Sequence, residues 1–333
     1  TVPAPQRDSP PPRYHQRVTP TRHVLASPRG YCAGVDRAVD TVERALDHFG
    51  APVYVRKEIV HNWHVVQELS DRGAVFVDSE LDVPEGAVVV LSAHGVAPDV
   101  YTNSTQRRLQ VLDATCPLVT KVHVEARRYA ADGYTIVLIG HEGHEEVVGT
   151  MGEAPDAIRL IGSVDEIAAL DIPDPEKVAY ITQTTLSVDE TLEIIAALRT
   201  RYPSIVGPKK DDICYATQNR QNAVKELAQE VDLVLVIGSR NSSNSNRLVD
   251  VTREMGVPAH LIDDESNIDP AWLEGVDTVG ITSGASAPES LVERVVAHFR
   301  ALGVERIESH ELVDENVHFS LPRALTRTVA QNS

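Results

Sequence analysis

No apolar run in this chain of 333 residues approaches the ~20 residues that a bilayer span requires. The longest candidates, at 88–91 and 233–237, are strand-sized, so a soluble, cytoplasmic protein with no membrane partner is expected. Residues 1–20 hold six prolines and several arginines but no apolar segment of signal-peptide type, and they read as a disordered Pro-rich extension. Positive charge is also scarce. Lys and Arg number 31 against 49 Asp and Glu, a formal charge of −18. Such a field repels phosphate backbones, which argues for no nucleic acid partner, and any anionic ligand must be held by local donors. Cysteine occurs only three times. An odd count without an export signal points to a reducing compartment and away from structural disulfides. No flavin or nicotinamide fingerprint is visible.

What is present is a repeat. After each of Cys32, Cys116 and Cys214 comes a helical pattern, then a short apolar strand, then a polar loop centred on His61, His144 or Ser242. The separations are 29, 28 and 28 residues. Each unit then closes with a strand ending in a polar cluster: Ser92-Ala-His94-Gly, Thr182-Gln-Thr-Thr185 and Thr282-Ser-Gly-Ala-Ser286. One unit has been used three times.

The apolar positions 35, 38, 39, 42, 45, 46 and 49 form one helical stripe, with Gly50 as its stop. Strands are expected from Pro52-Val-Tyr-Val55 onward, near 74–77, 88–91, 135–139, 158–161, 178–181, 233–237, 259–262 and 278–282, with helices between them. Uninterrupted Val/Ile/Leu runs suit parallel sheets covered on both faces. Ser163 with Glu166 and Ser187 with Glu190 have capping-box spacing, and Pro288 suits a first helical turn. The predicted fold class is α/β: three small parallel-sheet α/β units in a pseudo-threefold trefoil around a central iron–sulfur cluster. The units are expected at 34–115, at 116–212, and at 21–33 plus 213–302, with 303–333 as a C-terminal tail.

The cluster expectation rests on the cysteines. Any one alone is most simply a small buried hydrophobe. Taken together, each stands just before a helix, where backbone N–H groups and the helix dipole are expected to lower the thiol pKa. Zinc sites favour closely spaced Cys-x-x-Cys pairs, whereas three isolated cysteines meeting on an axis suit one face of an iron–sulfur cube. Three ligands for four irons would leave one iron open to a substrate oxygen.

The loops supply His61, His94, His144, Thr184, Thr185, Ser242, Ser243, Asn244 and Ser286, all at strand ends. Each histidine alone could be a satisfied turn residue. As a group, neutral donors and helix N-termini can cradle an anion such as a diphosphate. Gly140-His-Glu-Gly-His-Glu-Glu146 is not a zincin motif. Its carboxylates suit either a helix N-terminus or a proton source beside a reducible C–O bond.

Several long stretches resemble the LytB/IspH family of 4-hydroxy-3-methylbut-2-enyl diphosphate reductases. They are Pro28-Arg-Gly-Tyr-Cys-Ala-Gly-Val-Asp-Arg37, Ser92-Ala-His-Gly-Val96, Asp113-Ala-Thr-Cys-Pro-Leu-Val-Thr-Lys-Val-His123, Thr182-Gln-Thr-Thr-Leu-Ser187, Lys210-Asp-Asp-Ile-Cys-Tyr-Ala-Thr217, Gly238-Ser-Arg-Asn-Ser-Ser-Asn-Ser-Asn-Arg247 and Gly284-Ala-Ser-Ala-Pro288. The similarity runs from about residue 23 to the low 320s.

The resemblance implies a trefoil around an oxygen-sensitive [4Fe-4S] cluster, with Cys32, Cys116 and Cys214 as three ligands and one open iron that binds the substrate hydroxyl. It implies that His61, His94, His144, Ser242, Ser243, Asn244 and Ser286 hold the diphosphate, that Thr185 lies near the hydroxyl and that Glu146 relays protons. The implied reaction reduces the isoprenoid diphosphate substrate to isopentenyl and dimethylallyl diphosphate, the last step of the methylerythritol phosphate route. A cluster that takes electrons singly implies a ferredoxin or flavodoxin electron donor. Two departures stand out. The family commonly reads His-Pro-Glu where this chain has His144-Glu145-Glu146, and Ser283 adds a hydroxyl beside the pocket where alanine is frequent. A zinc-dependent hydrolase and a non-catalytic iron–sulfur sensor are the alternatives.

Overall fold

The computed structural model describes residues 20–325; the expected Pro-rich extension, apart from Pro20, lies outside the described residues. Strand β1 (Arg22–Ser27) leads into helix α1 (Ala33–Phe49). The next elements are β2 (Val53–Arg56), α2 (Trp63–Asp71), β3 (Ala74–Val77), β4 (Val88–Leu91), α3 (Pro98–Gln106) and β5 (Gln110–Asp113). Then follow α4 (Pro117–Ala131), β6 (Thr135–Ile139), α5 (Glu145–Glu153), β7 (Ile158–Ile161), β8 (Val178–Thr182) and α6 (Val188–Arg201). The last run is α7 (Tyr215–Leu227), β9 (Leu233–Ile237), α8 (Ser243–Glu254), β10 (Ala259–Ile262), β11 (Thr278–Ser283), α9 (Glu289–Ala301) and β12 (Arg306–Glu311).

Three parallel sheets result, ordered β3-β2-β4-β5, β7-β6-β8 and β10-β9-β11-β1-β12. Within each, the unit's first strand is central, its second lies on one side and its third on the other. The repeat in the sequence is thus a repeat of topology. Both faces of the central strands β6 and β9 are covered, as their apolar runs require. In β9, Leu233, Leu235 and Ile237 join one buried cluster while Val234 and Val236 join another on the opposite face. In β6, Val137 and Ile139 are likewise separated from Ile136 and Leu138.

Helix ends follow local chemistry. Gly50, at φ 74°, closes α1 by donating its N–H to the Leu46 carbonyl. Ser187 caps α6 by accepting the Glu190 N–H. Ser163 instead opens a short 3₁₀ helix, Val164–Ala169, where its hydroxyl meets the Glu166 carboxylate at 3.1 Å. Pro288 is the N-cap of α9, one position before the first turn expected for it.

The chain beyond 302 departs from the tail expectation. Strand β12 pairs with β1 along its whole length, from Arg22 beside Arg306 to Ser27 beside Glu311. Its sequence, Arg-Ile-Glu-Ser-His-Glu, lacks an apolar run because it is an edge strand, and charged side chains are what edges carry. Beyond β12 the chain straps across to the first unit. Glu315 accepts hydrogen bonds from Asn219 and from Arg220, Ser320 offers its carbonyl to Arg37, and Leu321 and Leu325 pack into the first unit's core. No helix among the described residues is long and apolar enough to cross a membrane.

Candidate functional site

The three cysteines occupy equivalent places: Cys32, Cys116 and Cys214 are the N-cap residues of α1, α4 and α7. Their backbone N–H groups close a ring. Cys32 donates to Ala285 O (3.2 Å), Cys116 to Ala93 O (3.0 Å) and Cys214 to Thr184 O (3.0 Å). Each cysteine opens one copy of the repeat and is therefore tied to the loop behind β11, β4 or β8 of the preceding copy, and the cycle closes on itself. The sulfurs face one space. A Cβ placed on Gly34 would lie 2.7 Å from Cys116 Sγ and 3.8 Å from Cys32 Sγ, so only glycine leaves room there.

The three cysteines and His61, His94, His144, Glu146, Thr184, Thr185, Ser242, Ser243, Asn244 and Ser286, thirteen residues singled out from sequence, all line one inner cavity of about 100 Å³. Sequence reasoning did not bring out Thr217, which donates its N–H to Cys214 Sγ at 3.4 Å, or the apolar wall of Val35, Val60 and Val119. A much larger groove of about 810 Å³ lies outside, between the Cys32 loop and residues 311–318. Its size does not make it the site. Among the residues that line it, only Cys32 belongs to the inner cavity, and the other polar groups converge inside.

Burial overrides the helix termini at the sulfurs. The Cys116 thiol is pushed up to about 12 and that of Cys214 to about 11, first by burial and next by the charge of Cys32. For these two cysteines this corrects the expectation of a lowered thiol pKa. A cation beside them would favour their ionised form, which is what a metal centre between the sulfurs would supply. Among the described residues no three His, Cys, Asp or Glu side chains converge on a point where a single metal ion could sit. A zinc site needs its donors ~2.0–2.3 Å from one ion. A cluster accepts a different geometry, because each sulfur meets its own iron.

The loops meet above the sulfurs. The His61 ring stacks on His94 at 4.0 Å between centroids, and His144 stands edge-on to them at 5.4 and 5.9 Å. His144 Nδ1 accepts the Glu146 N–H at 3.2 Å, so its proton sits on Nε2. Burial, then the neighbouring histidines, pulls the His94 pKa well down and that of His144 to about 4. Both rings are neutral near pH 7. Ser242 and Ser286 approach to 3.3 Å, and the Ser286 hydroxyl donates to His61 O. Gly284 lets this loop close. A Cβ there would lie 2.0 Å from Ser245 Oγ and 2.9 Å from Asn244 Nδ2. Asn244 is 6% exposed, yet neither side-chain polar atom makes a hydrogen bond within the protein. An unpaired buried amide is costly, and a ligand in the cavity would satisfy it.

Glu146 is 2% exposed and sits at the first turn of α5. Its carboxylate accepts the Thr184 N–H (2.6 Å) and the Thr184 hydroxyl (3.0 Å). Burial raises its pKa to about 7 against the pull of those bonds, so half its population carries a proton near neutrality. Thr185 lines the cavity too, its hydroxyl accepting from Gln183 Nε2 at 2.9 Å. The two departures from the family pattern resolve simply. Glu145 turns outward toward Lys57 (3.7 Å) and Arg56 (4.0 Å), leaving Glu146 as the acid in the cavity. Ser283 is fully buried and accepts the Gly30 N–H at 2.8 Å, so it braces the Cys32 loop and does not face a ligand.

Comparison with known proteins agrees with this geometry. The family model described as LytB protein matches residues 24–300. A 4-hydroxy-3-methylbut-2-enyl diphosphate reductase of Acidothermus cellulolyticus is 59% identical over 307 residues, covering 92% of this chain and 90% of that protein. The solved E-1-hydroxy-2-methyl-but-2-enyl-4-diphosphate reductase from Plasmodium falciparum superposes with a TM-score of 0.90 at 36% identity, over 94% of this chain and 99% of that one. A solved (E)-4-hydroxy-3-methyl-but-2-enyl diphosphate reductase, described as the terminal enzyme of the non-mevalonate pathway, matches with a TM-score of 0.60 at 31% identity, over 84% of this chain and 99% of that one.

Proposed function

From the premise that the chain belongs to the LytB protein family, we propose that it reduces 4-hydroxy-3-methylbut-2-enyl diphosphate to isopentenyl and dimethylallyl diphosphate, the terminal step of the non-mevalonate route. The substrate alcohol, two electrons and two protons give the alkene diphosphate and water: one C–O bond breaks and one C–H bond forms.

In this reading the unit at 116–212 contributes Cys116, the unit at 21–33 plus 213–302 contributes Cys32 and Cys214, the helix that Cys32 caps opens the unit at 34–115, and the three sulfurs hold a [4Fe-4S] cluster. When bound, the cluster supplies electrons singly and offers one iron without a protein sulfur to the alcohol oxygen. The donor is a ferredoxin or flavodoxin, and the compartment is the cytoplasm, where thiols stay reduced; all three cysteines are free.

The chain's own residues do the rest. His61, His94, His144, Ser242, Ser243, Asn244 and Ser286 bind the diphosphate, whose acceptor oxygens meet the donors that the cavity leaves unpaired. Helices α2, α5 and α8 begin at the same loops and add their positive ends. Thr185 orients the alcohol end. Glu146 holds the proton that leaves with the hydroxyl oxygen as water, Thr184 fixing the carboxyl through both oxygens. The three valines exclude bulk water.

The observation that carries the reading is the cyclic set of cysteine-to-loop hydrogen bonds, which brings three distant sulfurs and every anion donor to one cavity. Oxygen-free protein incubated with the hydroxylated diphosphate and reduced methyl viologen should yield both alkene diphosphates by mass spectrometry. Unchanged substrate would favour the sensor alternative, and released phosphate a hydrolase.

A further inference from the structure

The proposed reaction puts a multiply charged diphosphate into a cavity that, among the described residues, neither lysine nor arginine lines. Its three imidazoles are not equivalent. His94 and His144 are neutral rings, as argued above. His61 alone has a carboxylate behind it. Glu58, three residues earlier in the loop after β2, reaches His61 Nδ1 at 3.0 Å, and the same Glu58 Oε2 accepts Asn241 Nδ2 at 2.7 Å. The hydrogen bond with His61 holds the Glu58 carboxyl below the usual carboxylate range in spite of its burial, so Glu58 is ionised.

Glu58 does not line the cavity. It lines a shallow outer recess of about 320 Å³, together with Lys57, Asp78 and Glu145. Among the residues lining the two, His61 alone is common to recess and cavity. The ring is therefore the partition between them, with Nδ1 turned to Glu58 and Nε2 left for the cavity. The other charges lining the recess pair with one another, Lys57 with Asp78 at 3.1 Å and with Glu145 at 3.7 Å, and nearby Arg56 pairs with Glu80 at 2.9 Å.

We propose that Glu58 is the positioning residue that turns the Nε2 edge of His61 to the diphosphate, and that through Asn241 it also sets the neighbouring 242–244 loop against that ring. A carboxylate on Nδ1 fixes the ring's orientation, so that Nε2–H at the opposite edge meets an anionic oxygen of the ligand in a charge-assisted bond. Glu58 itself touches no substrate. The inference rests on the reading of the cavity as a diphosphate site.

The test uses full-length, cluster-loaded protein under nitrogen, titrated calorimetrically with inorganic diphosphate as wild type, Glu58→Gln and Glu58→Asp. Glu58→Gln should bind diphosphate about tenfold more weakly. In turnover its loss should fall in KM more than in kcat, with iron and sulfide content unchanged, and Glu58→Asp should recover part of the affinity. Glu58→Gln binding diphosphate as tightly as wild type overturns the inference, as does a loss in Glu58→Gln that falls in kcat or in cluster content while affinity holds. Failure of the wild type itself to bind diphosphate overturns the underlying reading and the inference with it.

Discussion

Glu146 and Glu58 lie on either side of the same histidine cluster and are opposite in state, because one is buried against threonine donors and the other faces an imidazole. Glu146, with its pKa raised to about 7, donates a proton only in its protonated form. Turnover should be full below that value and fall as pH rises through it. Glu146→Gln should lose roughly a hundredfold or more in turnover and the alkaline inflection with it, while retaining iron, sulfide and diphosphate binding. A pH–rate profile of the two proteins checks this, and wild-type turnover in the variant would remove Glu146 from the reaction. Glu146 was legible in the sequence through its histidine-rich loop. Glu58 was not, since its role arises from a contact with Asn241 across a unit boundary, and nothing in a Glu-Ile-Val-His spacing reports that.

At the scale of elements, the site is a convergence of helix starts. The cysteines cap α1, α4 and α7, and the polar loops precede α2, α5 and α8. The central strands were legible because parallel strands covered on both faces must be apolar throughout. Strand β12 was not, because an edge strand with exposed charges carries no such pattern, and β5 (Gln-Val-Leu-Asp), also at an edge, has only two apolar residues between polar ends. The thiol chemistry was misjudged for a related reason: a helix start is visible in sequence, whereas the burial that outweighs it belongs to the assembled units. Where α1 begins, Gly34 lies against the Cys116 sulfur of the next unit. Gly34→Ala should therefore leave α1 folded by circular dichroism but shorten the time the protein keeps its iron against a chelator. Iron retention equal to wild type would show that this approach is not needed.

For the whole molecule, the ring of cysteine-to-loop bonds means that no unit completes the site alone. The pseudo-threefold arrangement was legible from separations of 29, 28 and 28 residues, since three copies of a βα unit with one thiol each have a shared axis as their simplest assembly. The strap was not legible. Fully buried Arg220 holds it, donating to Gly30 O, Ala216 O and Glu315, and so ties the Cys32 loop, the helix behind Cys214 and the C-terminal segment to one guanidinium. Such a clamp joins residues far apart in sequence, and only folding brings them together.

The central claim is that three sulfurs, one at the head of each copy of the repeat, hold an iron–sulfur cube whose fourth iron is left for an alcohol. Mössbauer spectra of oxygen-free, iron-57-enriched protein test it most directly. The account predicts one iron in four distinct from the rest, with that component alone shifting when the hydroxylated diphosphate is added. Four equivalent irons, or a spectrum that substrate leaves unchanged, would contradict it.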